Sequence, residues 1–284
     1  MYHPKSDGAS LYSTTDLATL VMRMKENNPD RVIYLADARQ SMHFIQVFRC
    51  ARKTGIVPDT TELVHIGFGT MNGKDGKPFK TRDGGVMRLE YLLKEIDDEM
   101  LNKIKENQKE KENLNIDEAE AKQTAKTVAL AAVKYGDLSN QASKDYIFDI
   151  DRFTSFEGNT GPYILYTIVR IKSILSKYEA KGGDISALKD AIMPAVNAGQ
   201  KNLMLSLAKF NATIESAYEE SAPHKICAYI YELANAFNGF YHDTKILSEE
   251  NEELKKSYIS LLVLTKEILE ACIDMLGFSA PDRM

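Results

Sequence analysis

The fold is decided between residues 32 and 68, where two short apolar segments, Val32-Ile33-Tyr34-Leu35-Ala36 and Glu62-Leu63-Val64-His65-Ile66-Gly67-Phe68, enclose a helical pattern. Both segments are rich in β-branched residues, as buried strands are. Between them, Ser41 to Lys53 places apolar residues at helical spacing. This part of the chain is therefore predicted to be a strand–helix–strand unit of an α/β domain. Two or three strands make a small parallel sheet, so the chain is expected to begin partway through a domain.

The segments on either side of this unit have simple predictions. Thr14 to Asn27 has the apolar spacing of a helix, with Thr14 or Thr15 expected as its cap and Asp16 in its first turn. The string from Asn72 to Pro78 contains four turn-forming residue types, Asn, Gly, Asp and Pro, and predicts a loop or hairpin.

Strand signals almost vanish after about residue 85, and the rest of the chain is predicted to be helical. Apolar residues recur at helix-like intervals in segments separated by Gly, Pro or Asp/Asn clusters. These segments lie near residues 86–115, 117–134, 160–180, 184–217, 222–243 and 248–276. Together with the α/β start, they predict a mainly α chain whose second part is a helical bundle.

Composition places the chain among soluble globular proteins. It has 284 residues, a formal net charge of −5, 44% hydrophobic and 27% charged residues, which excludes a disordered or collagen-like polymer. Neither a membrane span nor a signal peptide is found in the sequence. Cys50, Cys227 and Cys272 form no CxxC pair, which argues against disulfides and zinc and for a reducing, cytoplasmic location.

The acidic total argues mildly against nucleic acid as a partner, but the charge is unevenly spread. Residues 1–90 contain 13 basic and 10 acidic side chains, so the remaining residues carry a net charge of −8. Acidic runs such as Glu249-Glu250-Asn251-Glu252-Glu253 are typical of a solvated helix face.

Two segments could hold a ligand. Tyr12 and Asp16 lie at the start of a predicted helix. The alternative to a ligand role is that Tyr12 is a packing residue and that the helix dipole alone favours the Asp16 carboxylate. Gln40 and His43 follow the first strand, at the edge where open α/β sheets bind ligands. Their alternative is a capped helix with a surface histidine.

A third candidate is the stretch Gly67-Phe68-Gly69-Thr70-Met71 and the loop after it, which carries Lys74, Lys77, Lys80 and Arg82. Backbone amides and lysines suit a polyphosphate, although no P-loop string is present. A basic surface hairpin is the alternative.

Taken in order, these segments closely resemble the class I arginyl-tRNA synthetases. The resemblance continues through Ala131-Ala132-Val133-Lys134-Tyr135-Gly136-Asp137-Leu138, through Phe156-Glu157-Gly158-Asn159-Thr160-Gly161-Pro162-Tyr163, and to the final string Leu276-Gly277-Phe278-Ser279-Ala280-Pro281-Asp282-Arg283-Met284. It spans nearly the whole chain.

The resemblance implies an arginine pocket that contains Tyr12, Asp16 and Gln40. A carboxylate that accepts two N–H bonds is suited to a guanidinium group. It also implies that His43 and the Gly67–Met71 stretch, with Gly67, Phe68, Gly69 and Met71, lie towards ATP. The loop through Lys80 stands where the family carries its KMSK signature, so Lys80, with Lys77 second, is the expected catalytic lysine.

One string resembles a class I signature but stands in the wrong place for it. His65-Ile66-Gly67-Phe68 looks like the start of the class I HIGH motif, but it lies on a strand just before the KMSK-like loop. The resemblance therefore implies that the HIGH-containing half is absent and that the chain is a C-terminal part of the enzyme, inactive alone. Residues 1–92 would be the end of a Rossmann-like catalytic core, 93–140 a helical connection and 141–284 a DALR anticodon-binding domain.

In that last domain, Tyr166, Tyr241 and Met284 are the expected tRNA contacts, with ordinary helix packing as their alternative. Arg170, Lys172, Lys201 and Lys225 are candidates for phosphate contacts. The implied partners are L-arginine, tRNA(Arg) and ATP, the last with Mg²⁺. Zinc and a membrane are not expected, and the protein is expected to be a monomer.

The implied reaction activates arginine as arginyl-adenylate and transfers it to tRNA. Two alternatives stay open from the sequence alone. One is a non-catalytic tRNA-binding or regulatory relative of a class I synthetase, and the other is a different DALR-bearing synthetase, such as the cysteine enzyme.

Overall fold

The computed structural model describes residues 7–77, 88–110, 117–188 and 191–284 of the chain. It contains two compact units. One is formed by the residues up to Met71 with Ala142–Tyr146, and the other by Asn72–Gln141 with Ile147–Met284.

The first unit is the predicted strand–helix–strand arrangement. Strands β1 (Arg31–Asp37) and β2 (Glu62–Phe68) flank helix α2 (Ser41–Lys53), and helix α1 (Tyr12–Asn27) precedes them. The strands pair in parallel, with Arg31 opposite Glu62 at one end and Asp37 opposite Phe68 at the other. Because both strands run the same way, their carboxyl ends lie at one edge, and the strand–helix–strand prediction is confirmed.

The two faces of this sheet differ in what covers them. One face packs on a core formed by Leu20, Val32, Val47, Ala51 and Val57, to which α1 and α2 contribute. The opposite face, called the outer face below, is apolar but open. Its residues are Ile33, Leu35, Val64, Ile66 and Phe68. Leu35 remains 67% exposed and Ile33 46% exposed. Parallel sheets normally have both faces covered, and among the described residues no helix layer covers the outer face.

Helix α1 begins earlier than the sequence predicted. Its cap position is Leu11, whose carbonyl accepts hydrogen bonds from the backbone N–H groups of Thr14 and Thr15. The Thr15 hydroxyl donates to the carbonyl of Tyr12 at 2.7 Å, as a side chain inside a helix does. The prediction that Thr14 or Thr15 caps the helix is therefore wrong, and Asp16 lies beyond the first turn.

The second unit is helical, as predicted. Its helices are α3 (Leu89–Glu110), α4 (Glu118–Leu138), α5 (Ile150–Phe153), α6 (Gly161–Ala180), α7 (Ala198–Leu207), α8 (Phe210–Glu219), α9 (Pro223–Asp243) and α10 (Glu252–Met275). Two short strands, β3 (Met71–Asn72) and β4 (Tyr146–Ile147), pair with each other. Within the described residues, none of the helices has the length and apolar character needed to cross a membrane.

Several of these helices begin at a side-chain cap. Asp117, Thr160 and Asn197 each accept a hydrogen bond from the backbone N–H three residues later, at the starts of α4, α6 and α7. The segment 184–217, predicted as one helical pattern, instead contains two α-helices. Pro194 cannot continue a helix that approaches it, and α7 begins only after the Asn197 cap.

Helices α4 and α6 approach each other closely at Gly161. A Cβ atom at this position would lie 2.3 Å from the carbonyl oxygen of Ala131 on α4. Behind this contact, Ile164, Ile168 and Phe237 are fully buried in the core of the bundle. The absence of a side chain at residue 161 is therefore a condition for the α4–α6 packing.

We predict that Gly161→Ala lowers the free energy of unfolding by about 2–3 kcal/mol, because backbone atoms would have to move apart. Gly239→Ala is the matched control. Gly239 also lies in a helix, but a Cβ there would have nothing within 4 Å, so this change should be neutral or slightly stabilising. Urea denaturation followed by circular dichroism measures both. Equal stabilities for the two variants would contradict the close approach.

Candidate functional site

The carboxyl edge of the parallel strands is shaped by a charged turn. Asp37 ends β1, and its carboxylate accepts hydrogen bonds from the backbone N–H of Arg39 at 2.8 Å and from Arg39 Nε and Nη2 at 2.9 and 2.6 Å. These bonds lower the pKa of Asp37 to about 2. They also fix the turn Ala38–Gln40 that leads into α2. Gln40 stands at the cap position of α2, exposed and without a capping hydrogen bond from its side chain.

Asp16 and His43, assigned by the resemblance to neighbouring sites, are in direct contact. His43 Nε2 lies 2.6 Å from Asp16 Oδ2, and each side chain is somewhat more than a quarter exposed. The contact joins α1 to α2 near the carboxyl edge of the strands. The imidazole also packs edge-on against Phe44, with 5.2 Å between ring centroids. His43 therefore holds the Asp16 carboxylate in a position that solvent, and so a ligand, can reach.

Tyr12 lies beside this pair along α1. It is the first residue of the helix and is 88% exposed. Its spacing of four residues from Asp16 puts both side chains on one face of the helix. In the described part of the chain this side chain is not buried against a core, so a ligand can reach it.

Gly67, near the end of β2, and Gly69, just after it, both stand where a side chain would collide with backbone. A Cβ at Gly67 would lie 2.9 Å from Ala38 Cα, and one at Gly69 would lie 2.5 Å from the carbonyl of Lys144. The Gly69 N–H donates to the carbonyl of Ala142 at 2.9 Å. The neighbouring N–H of residue 70 donates to a carboxylate oxygen of residue 145 at 2.6 Å. Two amides of the stretch expected to face ATP thus already have partners.

The basic loop is only partly within the described residues. Lys80 and Arg82 lie outside them. Lys74 forms ion pairs with Asp149 at 3.0 Å and Asp151 at 2.9 Å, and hydrogen bonds to these carboxylates raise its pKa. Lys77 is exposed at the end of the turn, where its carbonyl accepts the Gly73 N–H. Of the two expected catalytic lysines, the structure places only Lys77, and it is open to solvent.

In the helical unit, the two predicted tRNA-contacting tyrosines meet around one arginine. The Arg170 guanidinium carbon lies 4.8 Å from the ring centroid of Tyr166 and 5.2 Å from that of Tyr241. Tyr241 also stacks on Phe237 at 6.0 Å and is 42% exposed. An aromatic surface with a cation in it suits unstacked bases and the phosphates that follow them.

A hydrogen-bond relay behind this arginine was not found from the sequence. Asn238 Oδ1 accepts from Arg170 Nη1 at 2.6 Å, and Asn238 Nδ2 donates to the hydroxyl of Tyr163 at 2.9 Å. That hydroxyl in turn donates to Asn235 Oδ1 at 2.6 Å. The signal was the spacing: Tyr163, Tyr166 and Arg170 recur at helical intervals, and Asn238 precedes Tyr241 by three residues.

Two of the other basic candidates, Lys225 and Lys172, have carboxylate partners. Lys225 pairs with Glu220, and Lys172 pairs with Glu270 at 3.3 Å and with Asp282 at 3.2 Å. Lys201 is exposed on α7. Met284, the third expected tRNA contact, ends a tail that Lys172 holds through Asp282. Among the described residues, no group of three or more His, Cys, Asp or Glu side chains is arranged to hold a metal ion.

Comparison with known proteins matches the chain to two family models. The family model described as tRNA synthetases class I (R), catalytic domain, matches residues 3–150, and the DALR anticodon binding domain matches residues 164–284. The arginine–tRNA ligase of Alkaliphilus oremlandii is 55% identical over 280 residues, and that of Francisella tularensis subsp. tularensis is 44% identical over 282. Each alignment covers 99% of this chain but 46% of the relative, so the chain spans about half the length of these relatives.

Solved structures agree with the fold. The arginyl-tRNA synthetase from Plasmodium falciparum superposes with a TM-score of 0.81 at 28% identity, covering 99% of this chain and 46% of that one. The Thermus thermophilus arginyl-tRNA synthetase gives 0.80 at 23% identity, covering 99% and 50%. The predicted fold class, a mainly α chain with part of a class I catalytic domain followed by a DALR domain, is confirmed.

We predict that the Asp37 carboxyl group stays ionised between pH 7 and about pH 3.5. Its pKa of about 2 lies below the ordinary 3.8, so the stability it contributes is lost only as the pH falls through the lower value. Arg39→Ala should bring the pKa back up, so that the ¹³C carboxyl resonance of Asp37 moves within this range. Arg49→Ala, an exposed arginine on α2, is the control. A resonance that titrates alike in all three proteins would contradict the turn geometry.

Proposed function

Since this chain belongs to the arginyl-tRNA synthetases of class I, we propose that it is the C-terminal part of an arginine–tRNA ligase. The observation that carries the proposal is the succession, in one chain, of a class I (R) catalytic model and a DALR anticodon-binding model. In the proposed reaction, the carboxylate of L-arginine attacks the α-phosphate of ATP. Pyrophosphate leaves, and the arginyl group then passes to the 3′-terminal adenosine of tRNA(Arg).

We assign Asp16 to the guanidinium group of arginine, with Tyr12 beside it and Gln40 as a further polar contact. Asp16 is suited to this because its carboxylate is reachable and its orientation is fixed by His43. A bound amino acid would shield this carboxylate from water, and an uncharged one would leave it without a cationic partner, so such a pocket discriminates against uncharged amino acids. The arginine carboxylate must meet the α-phosphate, so we place His43, together with residues 67–71, between the arginine and ATP sites.

No side-chain nucleophile is required in this reaction. Positioning of the two substrates and stabilisation of the charge on the departing pyrophosphate lower the barrier. We assign the second task to the basic loop, with Lys80 first and Lys77 second, and to the Mg²⁺ that accompanies ATP. Binding of ATP, a cytoplasmic location and a monomeric state are parts of the same proposal.

We assign the surface formed by Tyr166, Arg170 and Tyr241 to the anticodon loop of tRNA(Arg). Base stacking on tyrosine is largely indifferent to sequence, whereas the remaining N–H groups of Arg170 can donate to a base edge or a phosphate. The surface is compact, so an acidic chain can bind RNA through it while its other faces stay negatively charged.

We predict that the chain binds tRNA(Arg) more tightly than a tRNA for another amino acid, and that Arg170→Ala weakens this binding about tenfold, the scale of one lost stacking contact. Lys256→Ala removes one positive charge from α10 and should have little effect. Filter binding or fluorescence anisotropy at fixed salt gives the dissociation constants. Equal binding by wild type and Arg170→Ala would refute the assignment of this surface.

The outer face of the sheet suits the rest of a catalytic domain. Leu35 and Ile33 expose apolar surface that a parallel sheet covers with helices, and the relatives are about twice as long as this chain. We therefore place the remaining catalytic residues in a segment that packs on this face. The part of the Alkaliphilus oremlandii enzyme that this chain does not match can supply such a segment, and we call it the complementary portion.

We predict that the co-expressed complementary portion co-purifies with this chain, and that Leu35→Glu abolishes the association by placing a charge in the apolar contact. Leu205→Glu on α7, a residue 55% exposed and far from the sheet in sequence, is the control. Size-exclusion chromatography separates the complex from its parts. Association that survives Leu35→Glu would place the contact elsewhere.

A further inference from the structure

Residues 276–284, called the tail, are firmly held although they form no regular element. After α10 ends at Met275, residues 276–284 contain no helix or strand. Segments without helix or strand are ordinarily exposed and mobile. Here Leu276 and Phe278 are almost fully buried, at 4% and 5% exposure. The first part of the tail is thus anchored in the core of the bundle.

The backbone of this first part turns sharply and is capped. Gly277 adopts a positive φ of 80°, and the Phe278 N–H donates to the carbonyl of Ile273 at 3.0 Å. This is the pattern of a Schellman C-cap. Lys134, from α4, donates to the Gly277 carbonyl. The turn therefore directs the tail away from the axis of α10 and towards α4 and α6.

Two further side chains hold the end of the tail. Lys172 on α6 reaches the carbonyl of Pro281 at 3.4 Å and the carboxylate of Asp282 at 3.2 Å. Glu120 on α4 receives two bonds from the next residue, from Arg283 Nε to Oε1 at 3.1 Å and from Arg283 Nη2 to Oε2 at 2.8 Å. A two-bond arginine–carboxylate pair restricts orientation as well as distance, unlike most surface ion pairs.

Glu120 is itself well fixed. It lies in the first turn of α4, where the helix dipole favours a carboxylate, and its backbone N–H donates to the Asp117 cap at 2.8 Å. Its neighbour Glu118 lies in the same turn but pairs with Lys122 instead, at 2.9 Å. The two glutamates are therefore chemically alike, and only one of them touches the tail.

We propose that Glu120, through its paired hydrogen bonds to Arg283, is a positioning residue that fixes the terminal Met284 for contact with tRNA. Lys172 supports it by holding Asp282. The inference rests on the proposed function, because Met284 needs a fixed place only if the tail meets a ligand. An unpositioned tail would have to be ordered when tRNA binds, and that ordering would reduce the affinity.

The direction in which Glu120→Gln changes the affinity for tRNA separates a positioning role of Glu120 from a purely electrostatic one. Glu120 is an anionic side chain on a protein that binds a polyanion, so removing its charge should strengthen RNA binding if it acts only through the electrostatic field. A positioning role requires the opposite: Glu120→Gln weakens binding. Direct phosphate contact by Arg283 would not make the affinity depend on Glu120 in this direction.

The test compares dissociation constants for tRNA(Arg) of the 284-residue chain and its variants at one salt concentration. We expect Glu120→Gln to weaken binding roughly three- to tenfold. Glu118→Gln should leave it unchanged or slightly tighter. For Lys172→Ala, which should also weaken binding, the matched control is Lys266→Ala. Lys266 pairs with Glu270 at 3.5 Å, as Lys172 does at 3.3 Å, but its ion pair is with α10 and not with Asp282. Melting temperatures of the variants show whether the fold is retained.

A double-mutant cycle with Met284→Ala completes the test. If Glu120 acts by positioning Met284, Glu120→Gln should have no further effect once Met284 is truncated. Additive losses, or equal binding by Glu120→Gln and Glu118→Gln, would overturn the inference while leaving the proposed function intact. Wild-type chain that does not prefer tRNA(Arg) to an unrelated tRNA would instead overturn the proposed function.

Discussion

The parallel pairing of β1 with β2 is the interaction on which the proposed arginine and ATP sites depend. Its register brings the carboxyl ends of both strands to one edge, so that the turn after β1 and the glycine stretch after β2 become neighbours. The Asp37–Arg39 ion pair, in the turn after β1, fixes the direction in which α2 starts. Helix α2 then places His43 against Asp16. Breaking the strand pairing would separate all of these groups at once.

The same pairing leaves the sheet dependent on something beyond it. A parallel pair with a single covered face exposes Ile33 and Leu35, which water solvates poorly. In the described part of the helical unit, the long helices α4, α6, α9 and α10 bury one another's apolar faces. The helical core crosses the boundary between the two family matches: Tyr135 of α4, within the first match, is fully buried and donates a hydrogen bond to the carbonyl of Cys227 within the second.

Much of this could be predicted from the sequence, because the patterns were local. The strands, α2 and most long helices follow from periodicity, and the acidic total of −5 was correctly divided between a basic start and an acidic remainder. The start of α1 was misjudged, because Thr15 has good capping chemistry but uses its hydroxyl inside the helix. The break within 184–217 required weighing Pro194 against an otherwise continuous apolar pattern.

What could not be predicted is how distant residues meet. The Asp16–His43 contact spans 27 positions and the Arg283–Glu120 contact spans 163, and no spacing rule relates such partners. Arg170 was expected to face phosphates, and its place between Tyr166 and Tyr241 depends on how α6 packs on α9. The arginine, ATP and tRNA assignments of individual side chains therefore remain proposals that the geometry supports.

Arginylation tests the central claim most directly. The chain is combined with the complementary portion of the Alkaliphilus oremlandii enzyme, and attachment of labelled arginine to tRNA(Arg) is measured in the presence of ATP and Mg²⁺. We expect activity from the combination, none from either part alone, and a large loss of arginine affinity with Asp16→Ala. A combination that forms the complex but remains inactive, or an Asp16→Ala variant with wild-type arginine affinity, would contradict the assignment of this chain to the arginine site.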